Sequence, residues 1–328
     1  MTEPFKAVQV IEADGKFVLS IVDKLLDSLP PGDVIIKVHY SSLNYKDALS
    51  ATGNKGVTRQ YPHTPGIDAA GEVVSSTDDN WKPGDQVIVT GFDLGMNTSG
   101  GFQEYIRVPA KWVVRLPQGL TLRESMIYGT AGFTAALSVQ ALLKTGVRPG
   151  DGKIVVTGAS GGVGSIAVAI LSKLGYQVTA VSSKQAEFLQ SLGAVEVLPR
   201  AEMDDTSGKV MLKPRFAGGI DTVGGNVLAT VVKSLQYGGA VTACGMVNGG
   251  PLPLTVFPFI LKGVQLLGID SVEYPISKRK EIWEAMATTW KPAQLTQLAN
   301  EIPLEKLGES INQILAGKVQ GRTLVRLA

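Results

Sequence analysis

The sequence is poor in the residues that most often carry metal or nucleophilic chemistry. It has one cysteine, Cys244, and two histidines, His39 and His63, in 328 residues. A single cysteine excludes an internal disulfide framework and any multi-cysteine zinc or iron–sulfur site. Net charge is also scarce. Lys and Arg number 31 against 29 Asp and Glu, leaving +2, which gives no general ground for a nucleic-acid or membrane-surface partner. Long hydrophobic runs are missing. The most apolar regions, around 163–171 and 252–269, are broken by Gly, Pro or Lys, so no membrane span is expected. The opening stretch MTEPFKAVQVIEADGKF has no basic segment followed by an apolar run. No secretory leader is therefore visible, and a cytoplasmic protein is expected.

What is present is the balance of a globular protein, 44% apolar and 18% charged residues. The length exceeds what one core usually serves, so two domains are expected. The first 110 or so residues read as mostly β. The segments VIIKVHY (34–40), AAGEVVS (69–75), DQVIVTG (85–91) and FQEYIRV (102–108) are short Val-, Ile- and Tyr-rich runs bounded by turn residues. The tripeptide Pro-Gly-Asp introduces strands at residues 31–33, 83–85 and 149–151. Its uneven spacing marks repeated turn chemistry and not a repeat. From about 121 the pattern changes to helix, then to alternating strands and helices. Strands are expected at 153–158, 177–182, 194–198, 219–223, 239–244 and 264–269, with helices at 162–174 and 185–192 between the first three. That order predicts an α/β fold, a doubly wound parallel sheet with helices on both faces. After about 275 come two helical stretches and a last strand, RTLVRLA, which is expected to fold back onto the first domain.

The segment IVVTGASGGVGSIAVAI (154–170) holds the strongest chemical signal. A β-branched run ends in glycines, and Val163, Ile166, Ala167, Ile170, Leu171 and Leu174 then recur on one helical face. Ala159-x-Gly161-x-x-Gly164 matches a dinucleotide fingerprint with alanine in the first place. Here Gly161 would let the backbone approach a pyrophosphate and Gly164 would let helix and strand pack closely. Ser160, Gly161, Gly162 and Val163 would offer amides or a hydroxyl to the anion. A tight turn without ligand is the alternative. An NAD site usually places Asp or Glu about 20 residues on. This chain has Ser182, Ser183 and Lys184 there, and Arg200 follows the third strand. Hydroxyls and cations suit a 2′-phosphate, where a carboxylate would repel it, so NADPH is expected. Solvated surface cations are the alternative reading of Lys184 and Arg200.

Seven segments appear in order: SSLNYKDALSATG, TPGIDAAGEV, KPGDQVIVTG, GTAGFTAAL, VVTGASGGVGSIAV, AGGIDTVGG and LLGIDSV. Together they resemble the medium-chain dehydrogenase/reductase superfamily, over nearly the full length. Within it the chain is similar to the zinc-independent acrylyl-CoA reductase and quinone oxidoreductase branch, to which LNYKD, PGID and GIDSV in this order are specific. The resemblance implies a GroES-like β domain over 1–122 and 273–328, a Rossmann NADPH-binding domain over 123–272, and a homodimer joined near 264–269. The zinc alcohol dehydrogenases of the superfamily place cysteine and histidine where this chain has Asn44 and Ile67, so no metal is expected.

Without a Lewis acid an alkoxide is poorly stabilised. Reduction of an activated carbon–carbon double bond is the expected chemistry. Hydride goes to the β-carbon of an enoyl thioester, here a short acyl-CoA, and hydrogen-bond donors hold the enolate oxygen. Quinone or free-enone reduction is the alternative acceptor chemistry, and an NADPH-binding protein without catalysis is the alternative of another class. The resemblance puts LNYKD beside the nicotinamide, with Asn44 donating to the cofactor and Tyr45 bonding the enolate or relaying a proton. Asp47 reads as a helix cap, and ordinary packing is the alternative for Tyr45. Lys55, Arg59, Arg107 and Arg322 could meet acyl-CoA phosphates, or be surface charges, and Arg322 is also expected among the cofactor-binding residues. Thr130 and Thr134 are implied near nicotinamide and phosphates, with helix capping as the alternative. Cys244, Gly245, Gly268 and Asp270 stand at the ends of Rossmann strands, the edge where ligands bind. Cys244 there reads as a small packed residue and not a nucleophile.

Overall fold

The computed structural model describes residues 3–183 and 185–327, so Lys184 lies outside the described residues. Two compact units emerge. One runs to Thr130 and resumes over Val272–Thr288 and from Leu295. The other is Ala131–Ser271 with Thr289–Gln294.

The first unit begins with a hairpin of β1 (Phe5–Ala13) and β2 (Lys16–Lys24). Asp14 and Gly15 both take positive φ between them, as the two-residue turn that matches strand twist requires. This hairpin adds to the strands expected from sequence. β3 (Val34–Leu43), α1 (Tyr45–Ala51), β4 (Asp68–Ser76), β5 (Gln86–Thr90), β6 (Tyr105–Val108) and β7 (Val113–Arg115) follow. Inward residues of β3 to β7, among them Val34, Ile36, Val38, Val73, Val87 and Val89, form one apolar core. The period of two along each strand creates it.

α2 (Leu122–Lys144) carries the chain from the first unit to the second and is interrupted at Gly129, with φ 50° and ψ −155°. Against the expectation from sequence that long apolar runs are missing, it is long and apolar enough to cross a bilayer by length and composition, but 78% of its most apolar window is buried inside the fold. The passage between units falls just after this interruption and not at 122. The reason is local: Tyr128, in the first two turns, donates to the Met286 carbonyl (3.0 Å) and meets Trp283 edge-on, both in the first unit.

The second unit alternates β8 (Lys153–Val156), α3 (Gly162–Lys173), β9 (Val178–Val181), α4 (Ala186–Ser191), β10 (Ala194–Leu198), β11 (Phe216–Asp221), α5 (Gly225–Lys233), β12 (Leu235–Ala243), α6 (Phe257–Lys262) and β13 (Gln265–Gly268). The strands lie in the order β10-β9-β8-β11-β12-β13, every adjacent pair parallel. The order reverses between β8 and β11, where doubly wound sheets bind ligands.

The chain then returns to the first unit through α7 (Ile276–Ala287), β14 (Ala299–Pro303), α8 (Leu307–Leu315) and β15 (Arg322–Arg326). β15 pairs antiparallel with β3, Val325 opposite Ser41, and completes the sheet β14-β15-β3-β4-β5-β7, with β6 also on β3. Val325, Leu307 and Ile311 join Val8, Val10 and Leu43 in a second core cluster.

Candidate active site

Within the first unit, residues far apart in sequence converge on one buried carboxylate. Asp68 opens β4 with no exposed surface. Its Oδ2 accepts from Ser42 Oγ (2.6 Å) and Asn44 Nδ2 (2.8 Å). The Thr130 amide donates to both oxygens (2.9 and 3.0 Å), and Thr130 Oγ1 donates to Oδ1 (2.6 Å). The Arg322 guanidinium stands 3.8 Å away and is itself only 3% exposed. It donates to the carbonyls of Ile127 (3.1 Å) and Leu43 (3.2 Å) and to Ser42 Oγ (2.8 Å). Gly129 explains how the Thr130 amide comes free. Its non-helical dihedrals release that amide from the helix, and any Cβ there would collide with Asp68, Ser42 and Arg322.

A second buried carboxylate, Asp47, sits beside this one. Its Oδ2 accepts from the Asn44 amide (2.8 Å) and Asn44 Nδ2 (3.2 Å), and its Oδ1 from the amides of Ile67 (2.8 Å) and Gly66 (3.2 Å). It thus caps α1 and at the same time fixes the PGID turn. Burial, then the Asp68 charge, push its carboxyl up to about 7, against the pull of those donors. Burial likewise lowers the Arg322 guanidinium, opposed by the two aspartates. A guanidinium keeps its charge under such shifts, so the cluster has two carboxyls for one fixed cation.

Asn44, 8% exposed, spends its amide hydrogens on Asp47, Asp68 and the Ser42 carbonyl. Both N–H groups, expected to meet a cofactor, are here given to acceptors inside the protein. Tyr45, the first residue of α1, is 45% exposed, and among the described residues its hydroxyl has no hydrogen-bond partner. Next to Asn44 in sequence, it therefore presents an uncommitted hydroxyl donor. Asp68, Ser42 and Gly129 carry the geometry, although sequence reasoning assigned them no role. The available signal was an acid at the head of the strand DAAGEVV, followed at once by small apolar residues.

The second unit presents an anion cradle. Gly158 has φ +57°, and a Cβ on Gly164 would strike the Gly158 carbonyl and Ala159. The first intrahelical bond of α3 runs from the Ser165 amide to the Gly161 carbonyl (2.9 Å). The amides of Gly162, Val163 and Gly164 therefore precede the ladder and point out of the helix start. Behind them, the buried Asp221 carboxylate accepts from Thr157 Oγ1 (2.6 Å) and the Gly224 amide (2.7 Å) and so fixes the loops after β8 and β11. A Cβ on Gly245 would collide with the Thr222 carbonyl, so that glycine lets two strand-end loops touch.

Other expected residues fall as follows. Ser182 Oγ lies 3.3 Å from Ser160 Oγ at the end of β9. Arg200 is exposed and donates to Asn248 Oδ1 (2.7 Å). Thr134 Oγ1 donates to Ser271 Oγ (2.8 Å). Cys244 is partly buried, with its thiol pushed up to about 12 by burial and by Asp221. Gly268 and Asp270 are exposed. Arg59 is exposed in its loop, and Arg107 donates to the Leu26 carbonyl (3.2 Å). Lys55 pairs with Glu12 (2.8 Å) over the rings of Phe17 and Tyr61. Arg322 is 3% exposed. It is buried in the first unit, where its guanidinium donates to three acceptors.

Comparison with known proteins agrees with both halves. Residues 30–118 match the "Alcohol dehydrogenase GroES-like domain" family and residues 162–288 the "Zinc-binding dehydrogenase" family. The chain is 48% identical over 324 residues to the protein named "Probable acrylyl-CoA reductase AcuI" of Escherichia coli, covering 98% of this chain and 99% of that one. Among solved structures it is similar to the YhdH oxidoreductase of Salmonella enterica in complex with NADP (TM-score 0.96, 47% identity, 98% and 100% covered). It is also similar to the YhfP protein of Bacillus subtilis with NAD bound (TM-score 0.97, 44% identity, 99% and 100% covered).

Proposed function

The chain belongs to the medium-chain dehydrogenase/reductase superfamily, in its acrylyl-CoA reductase branch, and from that premise we propose that it is an NADPH-dependent oxidoreductase reducing the carbon–carbon double bond of a short α,β-unsaturated acyl-CoA. The observation that carries the reading is the second unit's cradle: three outward amides at the start of α3, glycines that no Cβ could replace, and Ser182 where an acid would stand. It fits a dinucleotide diphosphate, and the missing acid favours NADPH. Ser160, Ser182 and Arg200 are the described residues assigned to the cofactor's 2′-phosphate end.

The residues present do not fit a catalytic zinc. Asn44 has its amide committed to two carboxylates, and Ile67 is buried hydrocarbon. The chemistry the cofactor supplies when bound is hydride donation to the β-carbon. Negative charge then builds on the thioester oxygen and must be held by a donor. Tyr45 is assigned that part, because its hydroxyl is the uncommitted one. Asn44 and Thr130 are assigned positioning parts, since their donors are spent on Asp47 and Asp68. Arg59 and Arg107 are assigned to the acyl-CoA phosphates. Cys244, its thiol held protonated, is assigned no reacting part.

The same proposal makes the enzyme a cytoplasmic homodimer joined along β13. Support comes from the open edge of that strand and from the exposed apolar Val256, Phe257, Ile260 and Leu261 beside it.

Steady-state kinetics with NADPH or NADH against acrylyl-CoA, a small free enone and a quinone test the reading. We expect kcat/KM to be highest with NADPH and the thioester. Tyr45→Phe should lower kcat about 100-fold with NADPH affinity unchanged. A variant with full turnover would remove Tyr45 from the mechanism, and equal kcat/KM for thioester and enone would remove the CoA portion from recognition.

A further inference from the structure

The first unit contains an open hollow of about 470 Å³ lined by Lys24, Gln9, Ser99, His63, Leu25 and Pro62 among others, and no part of the proposed chemistry uses it. Lys24, at the end of β2, is half-buried in its wall. Its Nζ donates to Thr64 Oγ1 (2.7 Å), whose own hydrogen goes to the Val8 carbonyl (2.7 Å). Among the described residues Lys24 has no carboxylate partner. Asp23, on the same rim, is committed to Lys6 (2.7 Å). Burial lowers both the Lys24 ammonium and the His63 imidazole. His63 lies with Nε2 3.0 Å from the Gly95 carbonyl. The hollow therefore carries one uncompensated positive charge.

Two neutral donors line the same hollow. The Gln9 side-chain amide makes no hydrogen bond among the described residues. Ser99 Oγ accepts from Gln103 Nε2 (2.9 Å), and its own hydrogen is given to no described residue. A partly desolvated ammonium without a counter-ion is costly, and an anion entering beside it recovers that cost. One cation matches one negative charge, and the Asp23 carboxylate on the rim disfavours a second. Leu25 and Pro62 supply an apolar side. We propose that this hollow is a binding site for a small aliphatic monocarboxylate, its carboxylate held by Lys24 with Gln9 and Ser99 and its alkyl group against Leu25 and Pro62.

The test is a saturation-transfer NMR titration of the full-length protein with propionate at constant ionic strength, competed with inorganic phosphate. We expect saturable binding with Kd on the order of 1 to 10 mM, no displacement by equimolar phosphate, and weakening of about tenfold or more in Lys24→Gln. Gln9→Leu leaves the Lys24–Thr64 bond in place and should weaken propionate several-fold. It serves if Lys24→Gln does not fold, as judged by its thermal transition and NADPH affinity. Unchanged affinity in a folded Lys24→Gln or in Gln9→Leu would overturn the proposal. So would equal competition by phosphate, or no saturation up to about 50 mM.

Discussion

At the scale of single residues, the buried acids Asp47 and Asp68 do unlike jobs. Asp68 gathers Ser42, Asn44, Thr130 and Arg322 around one carboxylate. Asp68→Asn would turn two acceptor oxygens into one and remove the carboxylate that stands 3.8 Å from the buried Arg322, leaving only the more weakly placed Asp47. We expect a loss of about 3 to 5 kcal/mol, read by urea unfolding. Asp47 gives a pH signature. Its folded value of about 7 lies above the ordinary 3.8, so the folded chain holds that proton more tightly than the unfolded one. The contribution to stability is complete below 3.8 and is lost as pH rises to about 7, and it amounts to about 4 kcal/mol at most. Asp47→Asn, whatever its absolute stability, should flatten the fall in Tm between about pH 4 and pH 7 that the parent shows. An equal fall in both proteins would place the titration elsewhere.

The tripeptide Gly-Ile-Asp shows how far residues speak from sequence. It occurs at 66–68, 219–221 and 268–270. Asp68 and Asp221 are fully buried acceptors that organise loops, whereas Asp270 is exposed. The motif announces a strand terminus in each case. Burial of the acid depends on what the rest of the chain brings against it, such as Thr130 and Arg322 to Asp68, and local spacing does not encode that.

At the scale of elements, the β8–α3 turn was the most legible part. Its function follows from a strand, a run of glycines and a helical face adjacent in the chain. Gly164 is the glycine most intolerant of change there, with the Gly158 carbonyl in the way of any Cβ. Gly164→Val should abolish NADPH binding in a fluorescence titration while an enzyme altered at Tyr45 still binds it. The interruption of α2 was not legible. GTAGFTAAL continues a good helical pattern, and a glycine inside it reads as tolerated. Only the converging Asp68, Ser42 and Arg322 require the unusual dihedrals at Gly129. Gly129→Ala should cost at least about 3 kcal/mol, since strained dihedrals and a collision add. A far smaller loss in urea unfolding would mean that the helix can close over the site without that kink. The β1–β2 hairpin was equally available in sequence through Asp14-Gly15 between β-rich runs.

At the scale of the whole molecule, a discontinuous unit of β character encloses in sequence an α/β unit, and β15 closes the first sheet from the far end of the chain. The returning strand could be foreseen from its composition. Its partner could not, because pairing partners lie outside the local pattern. The apolar residues of α6 and the open edge of β13 belong to this scale too. Sedimentation should give twice the monomer mass, and Ile260→Glu should shift it toward the monomer. A parent that sediments as a monomer would contradict the proposed assembly.

The central claim concerns where one hydride goes. Turnover of acrylyl-CoA with NADPH deuterated at the transferred nicotinamide position, followed by mass and NMR analysis of the product, tests it most directly. The account predicts a saturated acyl-CoA with one deuterium on the β-carbon and a solvent-derived hydrogen on the α-carbon. Deuterium at the former carbonyl carbon, or an unlabelled and unreduced thioester, would contradict it.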